Sequence, residues 1–81
     1  MKVEYSGAVT DALEDAPASV RKAFFKQTKL LEQNLRLPSL RAKKYDEAND
    51  LWQARVNRDW RFYFLIVDVT CRILKLIPHP K

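Results

Sequence analysis

The 81 residues carry 15 lysines and arginines against 10 acidic residues, a formal net charge of +5, and are 47% hydrophobic and 31% charged. That balance is globular rather than disordered, the length is that of one domain (residues 1–81), and so small a chain needs a dense core. One glycine (Gly7), one cysteine (Cys71) and one histidine (His79) exclude glycine-rich phosphate loops, an intrachain disulfide, a multi-cysteine zinc site and paired-histidine metal motifs. No apolar run approaches the roughly 20 residues that span a bilayer, and Met1-Lys2-Val3-Glu4-Tyr5 lacks the apolar stretch of a signal peptide. The expectation is a soluble cytoplasmic protein without metal or cofactor. The first 35 residues are electrically balanced, and all the excess positive charge lies beyond them. A one-sided basic field favours a polyanionic partner, nucleic acid above all.

In chain order, Met1 to Ser6 predicts a short strand, with Val3 and Tyr5 alternating against Lys2 and Glu4. Ser6-Gly7 breaks it, and Thr10 to Glu14 has room for a helical turn or two. Asp15-Ala16-Pro17 predicts a helix start, with Asp15 capping the free amides. The long helix then runs from about Pro17 to Leu35. Val20, Ala23, Phe24, Gln27, Leu30, Leu31 and Leu35 fall on one face of it, and Lys22, Lys26 and Lys29 on the opposite side. Phe25 lies off the stripe, facing the short helix or a partner. Pro38 cannot continue the helix.

Three strands follow: Leu51 to Asn57, Trp60 to Val67 and Arg72 to Ile77. Asn57-Arg58-Asp59 and Asp68 to Cys71 supply the turns, and Pro78 stops the last strand. Short connections make the three an antiparallel meander. Helices first and strands after predict an α+β fold: an N-terminal strand, one short and one long helix, then the meander, with both helices on one sheet face. Trp52, Phe62 and Phe64 then pack under the long helix. The two-residue period leaves Gln53, Arg55, Arg61 and Tyr63 on the open face.

That open face has a chemistry. The planar fork of arginine suits phosphate, and tyrosine can stack on a base or hydrogen-bond a phosphate. His79 follows the last strand directly, and imidazole is the side chain that exchanges protons near neutral pH. Lys81 adds a further positive charge. A plainer reading stays open beside this one, with Arg55 and Arg61 as solvated strand residues near Asp59 and Lys43-Lys44 as an ordinary surface run. Cys71 reads as a small apolar residue rather than a nucleophile.

The segment Leu51-Trp52-Gln53-Ala54-Arg55-Val56-Asn57-Arg58-Asp59-Trp60-Arg61-Phe62-Tyr63-Phe64 resembles the central hairpin of the RelE/ParE toxin superfamily. Pro38-Ser39-Leu40-Arg41-Ala42-Lys43-Lys44 resembles that family's approach to the hairpin, and Ile73 to His79 its final strand and histidine-containing tail. The resemblance covers nearly the whole chain. It implies the toxin of a type II toxin–antitoxin module. For RelE-like members it further implies a ribosome-dependent, metal-independent endoribonuclease. There the message's own 2′-hydroxyl attacks the adjacent phosphate. Gyrase poisoning, as in ParE-like members, and a catalytically inactive RNA- or protein-binding role are the alternatives.

By position, the resemblance gives Arg61 the stabilisation of charge on the scissile phosphate. Arg55 would orient that phosphate or help to activate the 2′-hydroxyl, and His79 would act as acid or base. Arg41, Lys43 and Lys44 would bind the RNA backbone, with Tyr63 as a stacking ring and Lys81 as a further contact. Gln53 replaces a basic residue common in active relatives, and Pro80 stands where many carry a histidine. Weakened or absent cleavage is therefore one expectation. The implied partners are a cognate antitoxin in a hetero-oligomer, the ribosome and mRNA.

Overall fold

A computed structural model describes residues 1–79. The chain runs β1 (Lys2–Tyr5), α1 (Gly7–Asp15), α2 (Ala18–Gln33), a 3-10 turn (Pro38–Leu40), β2 (Lys43–Asp46), β3 (Leu51–Arg55), β4 (Trp60–Val67) and β5 (Thr70–Pro78). The fold is α+β, as the sequence predicts. None of its helices is long and apolar enough to cross a membrane.

The first helix is longer than the turn or two expected from Thr10. Ser6 supplies the reason: its Oγ accepts from the Val9 amide at 3.2 Å, so the helix starts at Gly7. The same hydroxyl donates to the Leu74 carbonyl at 3.1 Å, tying this corner to β5. Asp15 does not cap α2, which has no side-chain cap; it ends α1 instead. The carbonyls left there are taken up by Arg21, which donates to Leu13 and Ala16.

The apolar stripe of α2 behaves as predicted. Val20, Phe24 and Leu31 are buried, while Lys22, Lys26 and Lys29 face solvent. Phe25 stays exposed and meets the Tyr5 ring of β1 near-perpendicularly, centroids 6.2 Å apart. Beneath the helix lies an aromatic layer. Phe24 meets Phe62 edge-on at 5.5 Å, Phe62 leans on Phe64 at 5.7 Å, and Trp52 stacks on Phe64 at 6.2 Å.

The sheet is larger than the meander. Its five strands lie in the order β1-β5-β4-β3-β2. β1 closes one edge by pairing parallel to β5, and β2 closes the other antiparallel to β3. Asp68, at a positive φ of 55°, makes the β4–β5 turn tighter than the sequence suggests, so β5 starts at Thr70. A bulge then shifts the β4–β5 register between Tyr63–Lys75 and Phe64–Ile73. The extra residue, Leu74, switches the alternation, so Cys71, Ile73 and Leu76 all reach the core. Lys75 and Ile77 stay on the side away from the helices, exposed.

Candidate nucleic-acid interface

The β3–β4 hairpin sets the site. Asn57 Oδ1 accepts from the amides of Asp59 and Trp60 at 2.9 and 3.0 Å, which folds the turn back on itself. Register then places Arg55 directly opposite Arg61. Like charges facing each other across two strands oppose folding, so a pair of this kind is unusual unless something negative is meant to lie between them.

Arg61 is held in place rather than free. One terminal nitrogen of its guanidinium donates to the Asn57 carbonyl at 2.6 Å and to Trp60 at 2.9 Å, with Arg58 more distant at 3.4 Å. The rest of the fork remains for a ligand. Partial burial, then the neighbouring charges of Arg55 and Arg41, pull its pKa below the usual arginine value. An arginine so placed keeps its proton; burial is the larger cause of the shift, and the share from Arg55 and Arg41 reflects the positive charge gathered around it.

Arg41 enters from the loop. It caps the 3-10 turn at φ 46° and ψ 39°, a left-handed conformation that side-chain-bearing residues rarely adopt. Lys43 comes from β2, opposite Gln53. His79 is brought in by one further step of pairing past β5: its amide donates to the Asp59 carbonyl at 2.7 Å. Arg41, Lys43, Arg55, Arg61 and His79, floored by Gln53 and Ala54, line an open cleft of about 340 Å³. Among the described residues no aspartate or glutamate lines it. The ion pairs among the described residues, Lys44–Asp50 and Arg72–Glu4, lie elsewhere.

Behind the cleft stands Gln27. It lies on the buried stripe of α2, where a polar side chain needs partners. Its Nε2 donates to Ser39 at 2.9 Å and to Arg55 at 2.7 Å, in each case to the main-chain carbonyl. One buried amide therefore ties the long helix to the loop bearing Arg41 and to the end of the strand bearing Arg55.

Four sequence expectations need correction or limitation. Lys44 does not join the cleft. It lies opposite Trp52 on the helix side of β2, its ammonium 5.2 Å from the centre of that ring and 3.0 Å from Asp50. Tyr63 does face away from the helices, but it is covered rather than open. It is 6% exposed, its hydroxyl accepts from Gln53 Nε2 at 2.8 Å, and the Tyr45 ring stands against it at 4.9 Å and 72°. Gln53, also expected on an open face, is 8% exposed. Lys81 lies outside the described residues. The residues missed are Tyr45, Gln27 in its tethering role, and the strand β2 that carries Tyr45 and Lys43. The Lys43/Lys44 alternation would have separated the two lysines had β2 been read as a strand.

No protein-family model matches the sequence, and no curated protein does. Solved structures do match. The archaeal RelE-RelB complex from Pyrococcus horikoshii OT3 aligns at 26% identity over 95% of this chain and 92% of that one, with a TM-score of 0.79. The YoeB/ParE toxin from Agrobacterium tumefaciens aligns at 12% identity over 99% and 100%, TM-score 0.81. YafQ from E. coli strain BL21(DE3) aligns at 21% identity over 96% and 92%, TM-score 0.72.

Proposed function

We propose that this chain, which belongs to the RelE/ParE toxin superfamily, is the toxin of a type II toxin–antitoxin module and cuts mRNA on the ribosome. The observation that carries the reading is the cleft itself. Among the described residues four cations, Arg41, Lys43, Arg55 and Arg61, converge there with a histidine and with no acidic side chain lining the walls. A polyanion supplies the missing charge.

In this reading a phosphodiester of single-stranded RNA lies between Arg55 and Arg61. The 2′-oxygen attacks the adjacent phosphorus, the bond from phosphorus to the 5′-oxygen breaks, and the products end in a 2′,3′-cyclic phosphate and a 5′-hydroxyl. Negative charge grows on the non-bridging oxygens as the attack proceeds. The fixed guanidinium of Arg61 is aimed at that charge and needs little reorganisation, because turn carbonyls already hold it. Arg55, opposite, completes the clamp and favours the ionised 2′-oxygen. His79 exchanges the proton, either taking it from the 2′-hydroxyl or giving it to the leaving 5′-oxygen. Arg41 and Lys43 hold the flanking backbone, so that the reacting groups stay in line.

The antitoxin in this reading presents an acidic segment to the same cleft, and the complementary charge both speeds association and blocks RNA. The RelE-RelB complex is among the matching structures, which supports a partner of this type.

The test is induced expression in bacteria with growth and message 5′ ends followed together. Growth arrest with new ends inside translated messages, both absent from a folded Arg61→Ala protein, is the expected result. Arrest with intact messages and broken chromosomal DNA would move the target to gyrase. Arrest unchanged by Arg61→Ala would remove the cleft from the mechanism.

A further inference from the structure

The outer sheet face carries a second feature beside the cleft. Tyr45, on the edge strand β2, is 59% exposed. Its ring does not float: Tyr63 braces it at 4.9 Å in a near-perpendicular arrangement, and Gln53 fixes the Tyr63 hydroxyl at 2.8 Å. Gln53 in turn lines the cation cleft. An unbroken line of contacts therefore runs from the phosphate-binding wall to an exposed aromatic ring.

The register shows how close the two are. One row across the sheet reads Arg55, Arg61, Ile77; the next reads Lys43, Gln53, Tyr63, Lys75. Adjacent rows on one face are two residues apart along each strand, about 6.6–6.8 Å. Next to Tyr45 and Tyr63 lies a small pocket of about 110 Å³, walled by Leu51 and Ile77 and rimmed by Lys75. Apolar walls, a braced aromatic ring and a lysine at the rim suit a flat, polar-edged ligand that carries negative charge nearby.

We infer that Tyr45 and this pocket form a base-stacking subsite for single-stranded RNA whose phosphates occupy the cation cleft. The inference rests on the proposed function, which supplies the RNA, and adds to it the place where a nucleobase sits. Every base has a π-face, so the contact adds affinity without a strict sequence requirement. Continuity with the cleft and the lysine at the rim favour a nucleotide over the apolar side chain of a partner protein. An edge strand bearing a large exposed ring is otherwise a liability.

The experiment compares two polyanions at low salt, an oligouridylate, which has bases, and inorganic polyphosphate, which has none. For Tyr45→Leu, oligouridylate binding is expected to fall about tenfold, as loss of one stacked base implies. Polyphosphate binding is expected to stay within about twofold, and Tyr45→Trp is expected to restore oligouridylate binding. Equal losses for both ligands, or no loss for oligouridylate, would overturn the inference. Unchanged RNA binding with weakened binding of polyglutamate would overturn it too, and would assign the ring to a protein partner. Arg61→Ala separates the two levels of the argument. If it leaves both polyanions bound as tightly as wild type, the functional reading fails, whatever Tyr45 does.

Discussion

Arg55 is the position at which the proposed function and folding are set most clearly against each other. It faces Arg61 across the hairpin, has Arg41 in the same cleft, and has no ion pair among the described residues. Two unit charges several ångströms apart repel by at most about 1 kcal/mol in bulk water and by up to about 4 kcal/mol at an effective dielectric near 20. Replacing Arg55 with Gln removes that repulsion and keeps part of the side-chain stem. Some packing is lost, and the net gain expected for relieving a like-charged cross-strand pair is about 0.5–1 kcal/mol. In a domain of this size that raises Tm by about 2–8 °C. The assay is thermal unfolding of both proteins at 0.01 M and 1 M salt. The gain should be clear at the lower concentration and vanish at the higher, as the screening length falls from about 30 Å to about 3 Å. The same substitution should weaken RNA binding and lower its salt slope by about 0.7, the value for one phosphate contact on a single strand. An Arg55→Gln protein that is folded but less stable than wild type at low salt would refute the reasoning.

Other substitutions divide structure from site. Gln27→Leu leaves the Ser39 and Arg55 carbonyls without their donor; it should cost about 2 kcal/mol, read as a fall in Tm of about 8–16 °C, and should weaken RNA binding although Gln27 does not line the cleft. Lys43→Ala should weaken RNA binding, whereas Lys44→Ala, which removes a lysine already paired with Asp50 over Trp52, should leave it unchanged in a filter-binding titration. Burial pushes the Cys71 thiol up, so the neutral form is favoured by folding. A raised pKa places the associated stability below the ordinary thiol value of about 8.5 and removes it as pH climbs through the folded value. Denaturation midpoints should therefore fall on the alkaline side, less so in Cys71→Ala, and a thiol reagent should label the native protein only as fast as it opens.

The parts of this molecule that were legible in the sequence are those governed by local repeats. The 3.6-residue stripe from Val20 to Leu31 and the two-residue alternation through Trp52 to Phe64 each mark a buried face. They also place Arg55 and Arg61 together on the opposite one. The parts that were not legible depend on distant partners. β1 pairs with a strand almost seventy residues away, and nothing in Lys2-Val3-Glu4-Tyr5 names it. Lys43-Lys44-Tyr45-Asp46 has one aromatic among three charges and looks like a solvated run; it becomes a strand because β3 offers it an edge. No glycine marks the bulge at Leu74. Alternation told which way Tyr63 points but not that Tyr45 lies over it. For the same reason Gln27 read as core from its place on the stripe, while its role comes from two carbonyls that only the folded chain brings to it.

The central claim is that the cleft between Arg55 and Arg61 cleaves RNA. Its most direct test is to add the purified protein, without antitoxin, to ribosomes stalled with a defined codon in the decoding site and to analyse the message ends. The account predicts a cut within that codon that leaves a 2′,3′-cyclic phosphate upstream and a 5′-hydroxyl downstream. The cut should survive metal chelation and be lost with Arg61→Ala. A message that stays intact while the folded protein is bound to the ribosome would contradict it.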